Sequence, residues 1–194
     1  MVGEVVRIVG RVRFADLEPL SAPVSNRRCA YYEIEVEERS GAGKNQSWSK
    51  VLEHKEHLAR FVIEDGTGRV LVEPGAPRVV LELDTHLSSG MSKDPPLELR
   101  SFLMVHGIAT EGLLFNKTLQ YTEGALEEGE RVAVLGRCWR EPDPEPAPDP
   151  EAGAAGAGSG LAGAAYRGVP QRLRIVEPGG GVPMVLSDDP STLR

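Results

Sequence analysis

Four stretches carry residue types that could do chemistry. Glu53-His54-Lys55-Glu56-His57 spaces two imidazoles three residues apart, an interval that can chelate a metal if further ligands are supplied. No further ligand is evident nearby and the neighbours are charged, so the spacing predicts a solvated loop or helix turn and no metal site. Gly158-Ser159-Gly160-Leu161-Ala162-Gly163 spells the dinucleotide pattern G-x-G-x-x-G. That pattern works only between a strand and a helix, and here it sits in an Ala/Gly-rich run. Glu33, Glu35 and Glu37 alternate along one segment and predict a solvated acidic strand face. Asp65-Gly66-Thr67-Gly68 could cradle a phosphate, but no helix start follows to aim N–H groups and a dipole at one. Its flanks, FVIE and RVLV, alternate apolar and polar residues. The stretch therefore predicts a hairpin tip, with Gly66 and Gly68 supplying positive-φ positions. No nucleophile, acid–base or phosphate-loop signature stands elsewhere, so the expectation is no catalytic set and no cofactor.

The elements around these stretches read mainly as strands. Residues 5–14 place Val6, Ile8, Val12 and Phe14 on one face and Arg7, Arg11 and Arg13 on the other. Gly10 on the apolar face suggests a bend or bulge. Residues 29–39 alternate most cleanly, with Ala30, Tyr32, Ile34 and Val36 opposed to Tyr31 and the three glutamates. Further strands are expected over 48–52, 61–64, 69–72, 77–83, 131–139, 172–178 and 183–187. Residues 85–99 read as loop, and 102–115 are apolar and ambiguous. At 141–168 acids alternate with Pro and then Ala and Gly dominate, a composition that cannot offset its ordering entropy. The predicted organisation is one β-domain from 1–140 plus 169–187, a disordered insertion at 141–168 and a polar tail at 188–194. The predicted fold class is all-β, a small OB-like (oligonucleotide/oligosaccharide-binding) barrel of short antiparallel strands. Closure removes the edges that so much strand would otherwise expose.

Composition narrows the function. The chain of 194 residues carries a net charge of −7 and only 5% aromatic residues. Backbone-binding nucleic-acid proteins need a basic footprint, and single-strand binders need stacking platforms, so nucleic acid is disfavoured. Two cysteines, Cys29 and Cys138, are too few for a disulfide scaffold or a four-thiolate zinc site. No apolar run reaches the ~18 residues of a membrane span, and the chain opens on a strand pattern rather than a signal peptide. A soluble chain follows, cytoplasmic or peripheral to a membrane. The excess of Arg over Lys hints at a GC-rich, bacterial genome.

Several short segments, in order, carry a resemblance. They are Glu18-Pro19-Leu20-Ser21-Ala22-Pro23, then Cys29-Ala30-Tyr31-Tyr32, Trp48, and Phe61 to Val72 around Asp65, Gly66 and Gly68. Tyr121-Thr122-Glu123, Leu126, Gly129 and Val134-Leu135-Gly136 complete the set. The order resembles the GIDE domain, also called BAM for "beside a membrane", of membrane-anchored ubiquitin ligases. The resemblance implies a non-catalytic β-rich interaction domain working near membranes, with a protein partner that can itself be membrane-embedded. It also implies that Pro23, Cys29, Tyr31, Tyr32, Asp65, Gly66, Gly68, Tyr121, Glu123, Gly129 and Gly136 are mainly structural signature residues. The family's ligases carry a RING with eight Cys/His zinc ligands. This chain has two Cys and four His, so it cannot build one, and ligase activity does not transfer.

Two alternatives accompany this reading. An OB barrel could bind single-stranded nucleic acid with Arg7, Arg11, Arg13, Arg27 and Arg28 for charge and Tyr31 for stacking. The domain could also act in trans as an accessory to a ubiquitin-like ligase.

Overall fold

A computed structural model describes residues 3–15, 17–41, 45–90, 93–110, 117–142 and 171–194. The strands are β1 (Glu4–Arg13), β2 (Leu20–Ser21), β3 (Arg28–Ser40), β4 (Ser47–His57), β5 (Phe61–Glu64), β6 (Arg69–Val72), β7 (Arg78–Val80) and β8 (Thr85–Ser89). A helix, α1 (Leu97–Val105), precedes β9 (Leu119–Glu127), β10 (Arg131–Pro142), β11 (Gln171–Val176) and β12 (Val185–Ser187).

Five strands close a barrel in the order β1-β5-β6-β11-β10, with β10 returning to pair with β1. All its pairings are antiparallel except β6 with β11. The alternation of 5–14 explains β1: Val12 is fully buried in the barrel core with Phe61, Ile63, Val72, Val134 and Ile175. The FVIEDGTGRVLV stretch is the β5–β6 hairpin, and residues 131–139 form the bulk of β10, as their patterns predict. At Gly10 there is continuous pairing rather than a bulge. A Cβ there would lie 2.8 Å from the Glu64 carbonyl oxygen, so the glycine permits β1 to approach β5.

The barrel is not the whole domain. A second sheet is centred on β3, which pairs antiparallel with β2 and β4 along one edge and with β9 along the other; β9 then pairs with β8. Residues 29–39, the most regular strand pattern, therefore lie outside the barrel wall. Their apolar face, Tyr32, Ile34 and Val36, builds a separate core with Tyr121, Leu99 and Leu103. On the opposite face Tyr31 is buried, unlike Glu35 and Glu37, because the start of β3 abuts the barrel core. Contrary to the solvated face expected for the three glutamates, Glu33 is buried beside Tyr31 and its charge is met by Lys55 at 2.7 Å, while the half-buried Glu35 pairs with Lys50 at 2.5 Å.

Three local expectations change. β4 runs through the polar stretch to His57, because β3 offers it a hydrogen-bonding partner strand along its whole length although none of its residues is buried. Residues 85–89 are a strand and 97–105 a helix where a loop and an ambiguous segment were expected. The tail at 188–194 packs on the barrel: Asp188 accepts from the Glu82 N–H at 3.1 Å, and Arg131 donates to the Leu193 carbonyl at 3.1 Å. Residues 143–168 of the expected insertion lie outside the described residues, while 141 and 142 end β10. No helix among the described residues is long and apolar enough to cross a membrane.

Candidate interaction site

Helix α1 follows Pro95-Pro96, and Glu98 places an acid in its first turn, favourable to the dipole. Its end is a Schellman motif. Gly107, at φ 73°, donates to the Met104 carbonyl at 3.1 Å, and the Ile108 N–H donates to that of Leu103 at 2.9 Å. Leu99 and Leu103, one turn apart, are fully buried against the second sheet. Removing either to Ala would cost about 2–5 kcal/mol, so the helix is firmly seated.

The opposite face is apolar too. Leu97 is 74% exposed, Met104 70% and Val105 83%. At a helical repeat of 3.6 residues, positions i, i+7 and i+8 form one stripe, with Ser101 between them. Glu98 and Arg100 flank it on either side. A nine-residue helix with apolar residues on both sides is anchored by one and presents the other.

Where β4 meets α1, the His54 and His106 ring centres are 4.5 Å apart, and Phe102 lies 5.4 Å from His54. Burial, and then the nearby His106, hold the His54 imidazolium below the usual histidine range, with Glu56 opposing. The pair with chelating spacing in sequence, His54 and His57, is not brought together. Strand alternation sends them to opposite faces, and His57 Nδ1 contacts the Leu58 carbonyl at 2.9 Å. Sequence spacing gave no signal for His106, which arrives from a different element.

The signature residues divide between the two cores. Cys29, Tyr32, Tyr121 and Glu123 cluster in the second sheet, beside the turn that holds Pro23. Glu123 is fully buried and accepts from the Val24 N–H at 2.6 Å and from the Ser25 N–H and hydroxyl at 3.1 and 2.5 Å. Tyr121 and Ser89 share a hydroxyl hydrogen bond of 2.7 Å. Arg27, outside the expected signature, ties the same turn to Asp84 at 2.7 Å and Glu127 at 2.9 Å. Tyr31 lies with the barrel core, and Asp65, Gly66, Gly68, Gly129 and Gly136 sit on barrel strands or turns.

Neither Gly66 nor Gly68 has positive φ, contrary to expectation. The turn is held instead by Asp65, whose Oδ1 accepts from the Thr67 N–H at 2.7 Å, the Thr67 hydroxyl at 2.6 Å and the Gly68 N–H at 3.1 Å. Those same bonds keep the Asp65 carboxyl below its ordinary range. With its acceptor turned inward on its own backbone, the loop offers a turn and no phosphate cradle. Gly129 does need its glycine, at φ 86°, in the tight β9–β10 turn.

A thioester relay would need an accessible thiolate. Cys29 is fully buried, and burial, followed by Glu123, pushes its thiol up to about 12. Burial also raises the half-buried Cys138 thiol. A stacking role for Tyr31 is closed, since it is 2% exposed. Of the arginines expected to form a basic groove, Arg13 pairs with Glu64 at 2.9 Å and Arg11 donates to the Gly129 carbonyl at 2.7 Å.

The sequence model of the GIDE family, described as E3 ubiquitin ligase, matches residues 31–152. The chain belongs to the GIDE family. The match begins at Tyr31 in β3 and takes in the β5–β6 hairpin and the Gly129 turn, while β1, β2, β11 and β12 lie outside it. No curated protein and no solved structure matches the chain significantly.

Proposed function

We propose that this GIDE chain is a non-catalytic protein-interaction module that acts beside a membrane and presents the outer stripe of α1 to an apolar segment of a partner protein. The observation that carries the reading is the exposure of Leu97, Met104 and Val105 on one line of a helix whose other side is fixed by Leu99 and Leu103. Three exposed side chains offer far less surface than the ~800 Å² per partner of a stable dimer. That favours a single helix or extended segment laid along the stripe over a second copy of the chain. The buried thiols and the self-satisfied Asp65 turn are consistent with a module that binds rather than catalyses. The family's link to ubiquitin ligases gives the setting: the chain serves as a scaffold, its partner lying in or against the membrane.

Fractionation of native cells tests this. The chain is expected in the membrane pellet and is expected to be released by an alkaline wash. The triple variant Leu97→Ser, Met104→Ser, Val105→Ser is expected in the supernatant, with an unchanged circular dichroism spectrum. Equal pelleting of both proteins would overturn the assignment of α1.

A further inference from the structure

We propose that a cleft on the outer face of β8 and β9 binds a small phosphate monoester that also carries hydroxyl groups, of the class of a phosphorylated polyol or sugar. The cleft encloses about 360 Å³, within the range of small-molecule sites. Its polar lining is His86, Ser88, Lys93, Gln120 and Thr122. None of its lining residues is acidic, in a chain of net charge −7.

Strand alternation dictates that lining. Leu87, Leu119 and Tyr121 turn inward to the core that seats α1, and Ser89 shares its hydroxyl hydrogen bond with Tyr121 there. The residues between them turn the other way. His86 stands directly opposite Thr122 and Ser88 directly opposite Gln120, so four polar side chains meet on one patch. Beyond β8 the chain folds back. The Gly90 N–H donates to the Lys93 carbonyl at 2.9 Å and the Lys93 N–H to that of Gly90 at 3.1 Å. This two-way bridge brings Lys93 to the cleft. The cleft lies on the sheet face opposite α1, so it is separate from the apolar stripe.

The groups match a phosphate on one side and hydroxyls on the other. Lys93 supplies positive charge and three donors, Ser88 a hydroxyl, and His86 an N–H in either tautomer. Charge-assisted bonds from such donors to phosphate oxygens are the strong ones. On the β9 side, the Gln120 amide donates to the Glu37 carboxylate, which leaves its carbonyl oxygen as an acceptor. That oxygen and the Thr122 hydroxyl suit the hydroxyls of a ligand rather than its phosphate. Further across the same face, oxygens of Glu33, Glu35 and Glu53 lie within 4.8 Å of one another, but Lys50 and Lys55 bridge them. The acids nearest the cleft are therefore already engaged, and Lys93 is the cation that the cleft presents.

Calorimetric titration of the full chain with ribose phosphate and glycerol phosphate tests this, alongside sedimentation with phosphatidylcholine vesicles with and without phosphatidylinositol phosphate. Saturable one-to-one binding of an ester is expected, with inorganic phosphate weaker and ribose alone unbound. Binding of the free esters marks a soluble ligand; binding of the phosphoinositide vesicles alone, lost in Lys93→Gln, marks a lipid headgroup of the same chemistry. Lys93→Gln, at an exposed position, is expected to weaken binding at least about tenfold, the worth of one charge-assisted bond. Thr122→Val keeps strand propensity and is expected to weaken the esters more than inorganic phosphate. Arg69→Gln, on the β5–β6 hairpin, and the α1 triple variant are expected to bind as the native chain does. Thermal melts check that each variant folds. Binding of neither esters nor vesicles, binding unchanged in Lys93→Gln or equally weakened in Arg69→Gln, or inorganic phosphate bound as tightly as the esters would overturn the site.

Discussion

A single oxygen of the buried Glu123 carboxylate accepts both the backbone N–H and the hydroxyl of Ser25, at 3.1 and 2.5 Å, across 98 residues of chain. This pins the turn before β3 to β9 and so fixes the edge of the second sheet. Glu123→Ala would leave the Val24 and Ser25 donors without their acceptor, at a cost of about 3 kcal/mol. Ser25→Ala removes one donor and is expected to cost about 1 kcal/mol. Urea unfolding of the two variants should separate them in that order; equal midpoints would contradict the pin.

Glycine substitutions should sort by backbone geometry. At Gly66 an added Cβ meets nothing within 4 Å and φ is not positive, so Gly66→Ala should be neutral or stabilising by up to about 1 kcal/mol. At Gly129 φ is 86°, and Gly129→Ala should cost about 1–2 kcal/mol. Gly136→Ala would set a Cβ 2.7 Å from the Val176 carbonyl oxygen and is expected to disturb the β10–β11 pairing as well. Thermal melts give the order directly.

The pH dependence follows from His54. Its folded-state value is lowered, first by burial and then by His106. Between that value and the unfolded ~6.5, the unfolded chain binds more protons than the native one. Stability from this group is therefore full above about pH 6.5 and is lost as pH falls through the folded value. In metal-free buffer, Tm should decline from pH 7.5 to 5.5, and His54→Asn should flatten that decline. A slope unchanged in the variant would assign the pH dependence elsewhere.

Cysteine chemistry gives a third readout. With its thiol buried and held up near 12, Cys29 should resist alkylation at pH 8 in the native chain. Cys138, less buried, should label first, and both should label in denaturant. Peptide mapping after timed alkylation distinguishes them; rapid native labelling of Cys29 would show an accessible nucleophile.

The barrel was legible because its strands carry their own evidence. Period-two alternation and turn residues at 61–72 and 129–136 are local signals, and the pairing of β10 with β1 follows from closing the edges. Of the second sheet only β3 and the first half of β4 were legible. β4 is polar at most positions, stays largely exposed, and becomes a strand only because β3 pairs with it along its length. The helix lacks a side-chain cap and is short, so its pattern is weak until Leu99 and Leu103 meet the sheet. The roles of Gly66 and Gly68 were misjudged because Asp65 can close the turn with its own side chain, which makes positive φ unnecessary. The meeting of His54 with His106 could not be read at all: it joins residues 52 apart in sequence through the seating of a helix, whereas spacing alone pointed to His57.

The account's central claim is that the outer face of α1 meets a partner's apolar segment. A photo-crosslinking residue at Met104, activated in intact cells, tests it most directly, with the same probe at the exposed Arg69 of the β5–β6 hairpin as control. The prediction is a discrete adduct from Met104 alone, whose crosslinked peptide maps to an apolar segment of one membrane protein and which disappears with Leu97→Ser and Val105→Ser. Adducts to a second copy of the chain, or the same adducts from both positions, would contradict it.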